Sequence, residues 1–190
     1  MEQEAVLDLF RKSGALLDGH FRLSSGLHSD RYLQSALVLQ FPEFAEALGH
    51  ALANRNRHLQ ATVVMSPALG GVVIGQEVGR ALGVRAIFAE RQDGALTLRR
   101  GFSLAPSDRV LVVEDVITTG GSTRETAAVA EAIGAQVVGA TAIIDRSAHG
   151  APLDLPMQAL VRLEVPTFAP DKCPLCARGD AIVKPGSRSN

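Results

Sequence analysis

The chain has 190 residues, of which 46% are hydrophobic but only 4% aromatic, no tryptophan, and a formal net charge of −1. That length suits a single domain with a substantial core, and the near-neutral charge gives no overall attraction to nucleic acid. No apolar run exceeds a short strand, and acids stand where a secretory signal carries basic residues, so the expectation is a cytoplasmic protein with no membrane segment.

In chain order, helical periodicity covers residues 5–12, followed by a small amino-terminal hood over about 13–40 that reads as short strands, with 32–39 the foremost. Residues 42–55 form a helix. Strand 62–65, helix 71–82 and strand 84–89 make a βαβ unit, whose parallel strands require the crossover helix. Strand 109–113, helix 122–133 and strand 136–144 repeat that logic. The expected fold is α/β, a doubly wound and mainly parallel sheet flanked by helices, with an aliphatic core over about 41–150. Residues 151–190 are an extension, of which 184–190 read as a loose polar end.

The most informative segment runs from Val110 to Thr123. Four apolar residues give a strand buried on both faces, so Glu114 and Asp115 are expected at its carboxyl end, where open parallel sheets hold ligands. Val116 and Ile117 lead into Thr118, Thr119, Gly120, Gly121 and Ser122, and then into a helix ended by Gly134. Backbone N–H groups and hydroxyls at a helix start suit a phosphate. Carboxylates one sugar's length away suit vicinal hydroxyls. The pattern therefore points to a ribose 5-phosphate. A triphosphate loop needs GxxxxGK[ST], and a dinucleotide fold needs GxGxxG after its first strand; the segment matches neither. The bland alternative is a solvated acidic turn before an ordinary helix.

These residues resemble the signature of the type I phosphoribosyltransferases. Within them, the chain is similar to the orotate enzymes, in their short bacterial branch with a Cys-Pro-Leu-Cys tail. Gly14-Ala15-Leu16-Leu17 and the run from Gly19 to Ser29, followed by Tyr32, resemble the hood of those enzymes. Met65-Ser66-Pro67-Ala68-Leu69-Gly70-Gly71 resembles their diphosphate-binding turn. Ile143-Ile144-Asp145-Arg146 ends a strand with an arginine at the place where those enzymes use one to bind the base carboxylate.

The resemblance implies transfer of a phosphoribosyl group from 5-phosphoribosyl 1-diphosphate to orotate with Mg²⁺ carried by the diphosphate. Glu114 and Asp115 would orient the ribose, Thr118 to Ser122 would anchor the 5-phosphate, Val116 and Ile117 would complete the 5-phosphoribosyl 1-diphosphate-binding segment 114–122, and Thr118 and Arg146 would meet orotate. It also implies a homodimer in which each loop 90–103 closes the neighbouring site. Orotate enzymes of the longer type have lysines where this chain has Ser24 and Gly70. Their mobile loop carries lysines and a histidine, whereas here the loop's cations are Arg91, Arg99 and Arg100, with Arg91 the expected catalytic one. Guanidinium pairs well with phosphate oxygens but cannot act as a general acid, its pKa lying above roughly 12. From the residues alone, the same loop reads equally as a hairpin, with 95–98 a strand and Gly94 in the turn. A transferase for another base, or a non-catalytic regulator that keeps the phosphoribosyl pocket, are the alternatives.

Cys173-Pro174-Leu175-Cys176 has the spacing of half a zinc site or of a redox pair. Tetrahedral zinc needs four ligands, and the sequence has no second C-x-x-C or H-x-x-H. The sequence therefore favours a reduced turn, with a zinc shared between two subunits as the alternative. His28 reads as a hood residue near ligand or in solvent, and His149 as a neighbour of the base or a turn residue. His20, His50 and His58 carry no functional signal.

Overall fold

The computed structural model describes residues 1–23, 25–147 and 153–185. Helix α1 (Gln3–Lys12) buries Val6, Leu7 and Phe10 on one stripe, and the hood follows as an antiparallel hairpin of β1 (Leu16–Arg22) and β2 (His28–Leu33). Then come α2 (Ser35–Leu39), α3 (Pro42–Asn56), β3 (Val63–Pro67), α4 (Gly70–Leu82), β4 (Arg85–Gln92) and β5 (Ala95–Leu98). The chain continues through β6 (Arg109–Ile117), α5 (Gly121–Ala132), β7 (Gln136–Asp145), β8 (Met157–Arg162) and α6 (Pro174–Ala177). Among the described residues the main sheet has the order β5-β4-β3-β6-β7-β8. Its pairs are parallel except for the β4–β5 hairpin.

The sheet is doubly wound, as expected. Along β6, Leu111 and Val113 face a core shared with Val6, Leu48, Leu52 and Ile74 from α1, α3 and α4. Val110 and Val112 face the other core, with Ala127 and Ala130 of α5. From β3 the chain moves outward to β4, then returns to place β6 on the other side of β3. The carboxyl ends of β3 and β6 therefore flank a topological switch point, the usual ligand crevice of an open α/β sheet.

Three details depart from the sequence reading. Residues 32–39 do not form one strand: β2 stops at Leu33 and Ser35–Leu39 is helical. Gln34 accepts the amide of Ala36 at the helix start, and Ser35, Val38 and Leu39 are buried at helical spacing; β-branched and aliphatic content alone did not distinguish the two periods. Strand β6 does not end at Val113, because β7 continues to pair with it through Ile117↔Asp145 after its pairing with β3 stops at Val112. The extension also supplies an unexpected edge strand, β8, through Leu160 and Val161.

Helix α4 lies close to the sheet because its contact face carries glycine. A Cβ at Gly75 would stand 2.1 Å from Ser66 Oγ, and one at Gly71 would stand 2.8 Å from the Val113 carbonyl oxygen. Gly75→Ala is expected to destabilise by about 1–3 kcal/mol through overpacking, despite the better helix propensity of alanine. Ser66 Oγ is buried and makes no hydrogen bond, so Ser66→Ala should recover most of that loss. Urea denaturation of the two single variants and the double variant checks this; purely additive losses would contradict it.

Candidate active site

A cleft of about 880 Å³ opens between the hood, the β6–α5 loop and the extension, lined by Arg22, Arg31, Tyr32, Thr118, Thr119 and Arg146 among others. A second, smaller hollow of about 340 Å³ is lined by Leu39, Leu69, Gly70, Val73 and Asp115. The β6–α5 loop begins at the carboxyl end of β6. Gly120 adopts φ 73° and caps α5, a left-handed conformation that glycine takes without a Cβ penalty. Thr118 and Thr119 are exposed, and the first amides of the 12-residue α5 end at this loop, so N–H groups and hydroxyls converge as an anion seat. Val116 packs on the core and Ile117 is buried in it. Their side chains are not among those lining the clefts; the Ile117 carbonyl instead accepts the Arg146 amide at 2.8 Å.

The two acids sit within β6 rather than beyond it, so strand alternation sends them to opposite faces. Glu114 points toward α5, where its carboxylate accepts the hydroxyl of Thr123. It is only 8% exposed, and burial pushes its pKa up to about 7, with the Asp115 charge adding to the rise and the Thr123 hydrogen bond opposing it. Asp115 points toward the start of α4, and burial raises its carboxyl as well. A Cβ at Gly70 would lie 2.6 Å from Asp115 Oδ1. A side chain at position 70 would therefore need the Asp115 carboxylate to move. The Ala68–Leu69 peptide of this turn is cis.

Arg146 follows β7 and reaches the large cleft. Its Nε is buried with no hydrogen-bond partner, and burial lowers its pKa. An unpaired buried guanidinium donor is costly unless an anion completes it. Its turn is held by Asp145, which accepts the amide of Ser147 at 2.9 Å and pairs with Arg162 at 3.2 Å.

The loop after β4 is a hairpin. Its arginines do not reach the clefts of their own chain: Arg91 pairs with Glu125 at 2.9 Å, Arg100 pairs with Glu90 at 2.6 Å, and Arg99 is exposed. Ser24 and His149 lie outside the described residues.

The sequence reading missed Arg22, Arg31 and Lys184, all of which line the large cleft. Lys184 lies in what the sequence reads as a loose polar end, but Val183 beside it forms a bridge with Phe21 of β1. No linear pattern flags such residues, although the position of Arg22 and Arg31 on hood strands facing a phosphate loop was a usable hint. The C-x-x-C cysteines are free, as a reduced pair would be, but they have partners that the sequence did not show. Cys173 and Cys176 meet His20 and His28, and donor atoms of all four lie within 4.8 Å of one another. His20 is thus not a bystander, and His28 is buried rather than solvent-facing.

Comparison with known proteins agrees with this geometry. Residues 35–164 match the family model described as a phosphoribosyl transferase domain. The chain is 50% identical over 188 residues to the orotate phosphoribosyltransferase of Desulforamulus reducens, covering 99% of this chain and 98% of that protein. It is 51% identical to the one of Pelotomaculum thermopropionicum, covering 99% of each. Its fold matches the crystal structure of Mycobacterium tuberculosis orotate phosphoribosyltransferase in complex with 5-phospho-α-D-ribosyl 1-diphosphate, with a TM-score of 0.69 at 24% identity over 85% of this chain and 96% of that one.

Proposed function

Because the chain belongs to the phosphoribosyltransferase family, among its orotate phosphoribosyltransferases, we propose that its cleft transfers the 5-phosphoribosyl group of 5-phosphoribosyl 1-diphosphate to orotate. The products are orotidine 5′-monophosphate and diphosphate, a step of pyrimidine biosynthesis. The observation that carries the reading is that Arg146, whose buried Nε has no partner, and Thr118 and Thr119 of the β6–α5 loop line one cleft, with both acids on β6 just before that loop.

The amides and hydroxyls of residues 118–122 hold the 5-phosphate and fix the sugar for in-line displacement. Glu114 and Asp115, on the part of β6 that runs beyond its pairing with β3, orient the ribose hydroxyls and place negative potential near a ribose that gains positive charge as the diphosphate departs. Arg146 receives the orotate carboxylate, with Thr118 at the ring, and the anionic base needs no strong general base. Mg²⁺ fits the donor set: Asp115 offers hard carboxylate oxygens at the smaller hollow, consistent with an ion that takes most of its oxygens from the diphosphate. Bound there, it would neutralise leaving-group charge as a Lewis acid.

The reading includes a cytoplasmic homodimer; among the described residues no helix is long and apolar enough to cross a membrane. Arg91, Arg99 and Arg100, which line neither cleft of their own chain, then serve a neighbouring one. Mixing an Asp115→Asn variant with an Arg91→Ala/Arg99→Ala/Arg100→Ala variant, both inactive alone, is expected to restore about a quarter of wild-type activity through mixed dimers. No recovery after subunit exchange would count against a shared lid.

The central test is ultraviolet measurement of orotate consumption with Mg²⁺ and 5-phosphoribosyl 1-diphosphate, beside uracil, adenine and hypoxanthine. Turnover of orotate alone is expected. Turnover of another base overturns the substrate assignment, and diphosphate-sugar binding without turnover points to a regulator. Gly70→Ala should raise KM for the diphosphate sugar about tenfold or more by displacing Asp115, with little change in Tm; an unchanged KM would show that Asp115 does not hold the ribose.

A further inference from the structure

The carboxy-terminal extension has little regular structure of its own, yet it forms one wall of the large cleft with Val165, Thr167, Lys184 and Pro185. Among the described residues its only elements after β8 are a single 3-10 turn and the four-residue α6. Isolated bridges tie it to the hood at Phe21↔Val183 and His28↔Phe168. Between these bridges Cys173, at the start of α6, and Cys176, within it, face His20 of β1 and His28 of β2.

The geometry of the four donors is that of a coordination shell. His20 Nε2 lies 3.1 Å from His28 Nδ1, 3.6 Å from Cys173 Sγ and 3.7 Å from Cys176 Sγ, and Cys176 Sγ lies 3.3 Å from His28 Nδ1. For a tetrahedron with Zn–N of about 2.0–2.1 Å and Zn–S of about 2.3 Å, the edges are about 3.4 Å for N···N and about 3.6 Å for N···S. Hydrogen bonding accounts poorly for this arrangement. A neutral imidazole nitrogen has one lone pair, and His20 Nε2 faces three partners at once. The other nitrogen, His20 Nδ1, lies 2.9 Å from the Asp180 carbonyl oxygen. That contact sets the proton on Nδ1 and aims the Nε2 lone pair into the cluster, the usual outer-shell support of a metal-bound histidine. His20, His28 and Cys173 are nearly fully buried, while Cys176 is exposed and leaves a path for entry.

We propose that His20 Nε2, His28 Nδ1, Cys173 Sγ and Cys176 Sγ of one chain bind a structural Zn²⁺ that fastens the carboxy-terminal extension to the hood. Two thiolates and two imidazoles in a tetrahedron select zinc over harder cations, and four protein ligands leave no open position for catalysis. The ion crosslinks segments about 150 residues apart in sequence and holds the cleft wall that carries Lys184. It is distinct in place and chemistry from the Mg²⁺ of the diphosphate.

The test is the metal content of untagged protein after gel filtration, measured by mass spectrometry, together with the absorption spectrum after chelator treatment and Co²⁺ loading. The expected result is about one zinc per chain, and a Co²⁺ spectrum with intense tetrahedral d–d bands and thiolate charge transfer. Cys176→Ser should lose both signals, whereas Cys176→His, which restores a ligand, should keep tetrahedral Co²⁺. If Cys176→Ser does not fold, Co²⁺ titration of the wild-type chain decides the matter. The proposal is overturned by substoichiometric zinc with no tetrahedral Co²⁺ spectrum, by a Cys173–Cys176 disulfide in freshly isolated protein, or by one zinc per two chains. None of these readouts depends on transferase activity, so failure here is separable from failure of the functional reading.

Discussion

Replacing Arg146 with alanine is expected to lower kcat/KM for orotate by about 10³-fold while leaving the fold intact. The guanidinium is half-buried, its Nε is without a partner, and burial already lowers its pKa. The free protein thus bears a desolvation cost that only a bound anion offsets, and losing a buried charge pair costs about 2–5 kcal/mol in transition-state binding. In the unliganded chain the same substitution removes an uncompensated donor, so Tm should hold or rise. Arg146→Lys is not expected to rescue fully, because an ammonium cannot reproduce a forked pairing with carboxylate. Steady-state kinetics with orotate and with uracil, alongside thermal denaturation, check this. The wild type should discriminate strongly against uracil, which leaves the arginine unpaired, and the variant should lose most of that discrimination. Equal losses for both bases would show that Arg146 does not read the carboxylate.

Glu114→Gln should stabilise the free protein and weaken it as an enzyme. Burial raises the Glu114 carboxyl from 4.5 to about 7. A carboxyl raised by folding contributes fully below its unfolded pKa, near 4.5, and that contribution is lost as pH climbs through about 7. At pH 8 the folded chain carries a buried carboxylate at a cost of about 3 kcal/mol, at about 1.4 kcal/mol per pH unit. Glutamine keeps an acceptor for Thr123 and removes the charge. The variant's Tm should therefore match wild type near pH 5 and exceed it by about 6–12 °C at pH 8. A difference independent of pH would show that the carboxyl is not raised.

Binding should respond in the opposite sense. A ribose hydroxyl donates to a carboxylate but competes with a carboxylic acid's own proton, so affinity for 5-phosphoribosyl 1-diphosphate should rise as pH passes from 6 to 8. In Glu114→Gln the Glu114 part of that rise should vanish. Calorimetry in buffers of different ionisation enthalpy would detect the proton released on binding, and equal proton release by wild type and variant would contradict the assignment. Both outcomes together would mark Glu114 as an acid kept for binding at the expense of stability, a common feature of binding sites.

Local chemistry made much of this legible in the sequence. Helices over 42–55 and 71–82, the β6 strand and the glycine-opened helix after it all follow from periodicity, and the order of elements prescribes a parallel sheet through the crossover rule. The run from Glu114 to Ser122 pointed to a ribose 5-phosphate because each residue type there has a reason tied to its immediate neighbours.

Other features depended on partners distant in sequence. Whether 35–39 would be strand or helix, and how far β6 would continue, were settled by packing and by pairing with β7. That continuation put Glu114 and Asp115 on opposite faces, with different burial, where a reading of adjacent acids at a strand end placed them together. That Gly70 lies against the Asp115 carboxylate is likewise visible only in the folded chain. Lys184, Arg22 and Arg31 entered the cleft wall through contacts between the extension and the hood. The two cysteines gained their histidine partners only when α6 packed on the hood, because ligands about 150 residues apart form no linear motif. The sequence by itself therefore determined the sheet, the crossover order and the glycine-opened turn between β6 and α5, all products of short-range backbone preference and hydrophobic period. Only the tertiary structure decided the electrostatics of the acids, the burial of the Arg146 Nε without a partner and the histidine–cysteine cluster, because burial and convergence are properties of the folded chain.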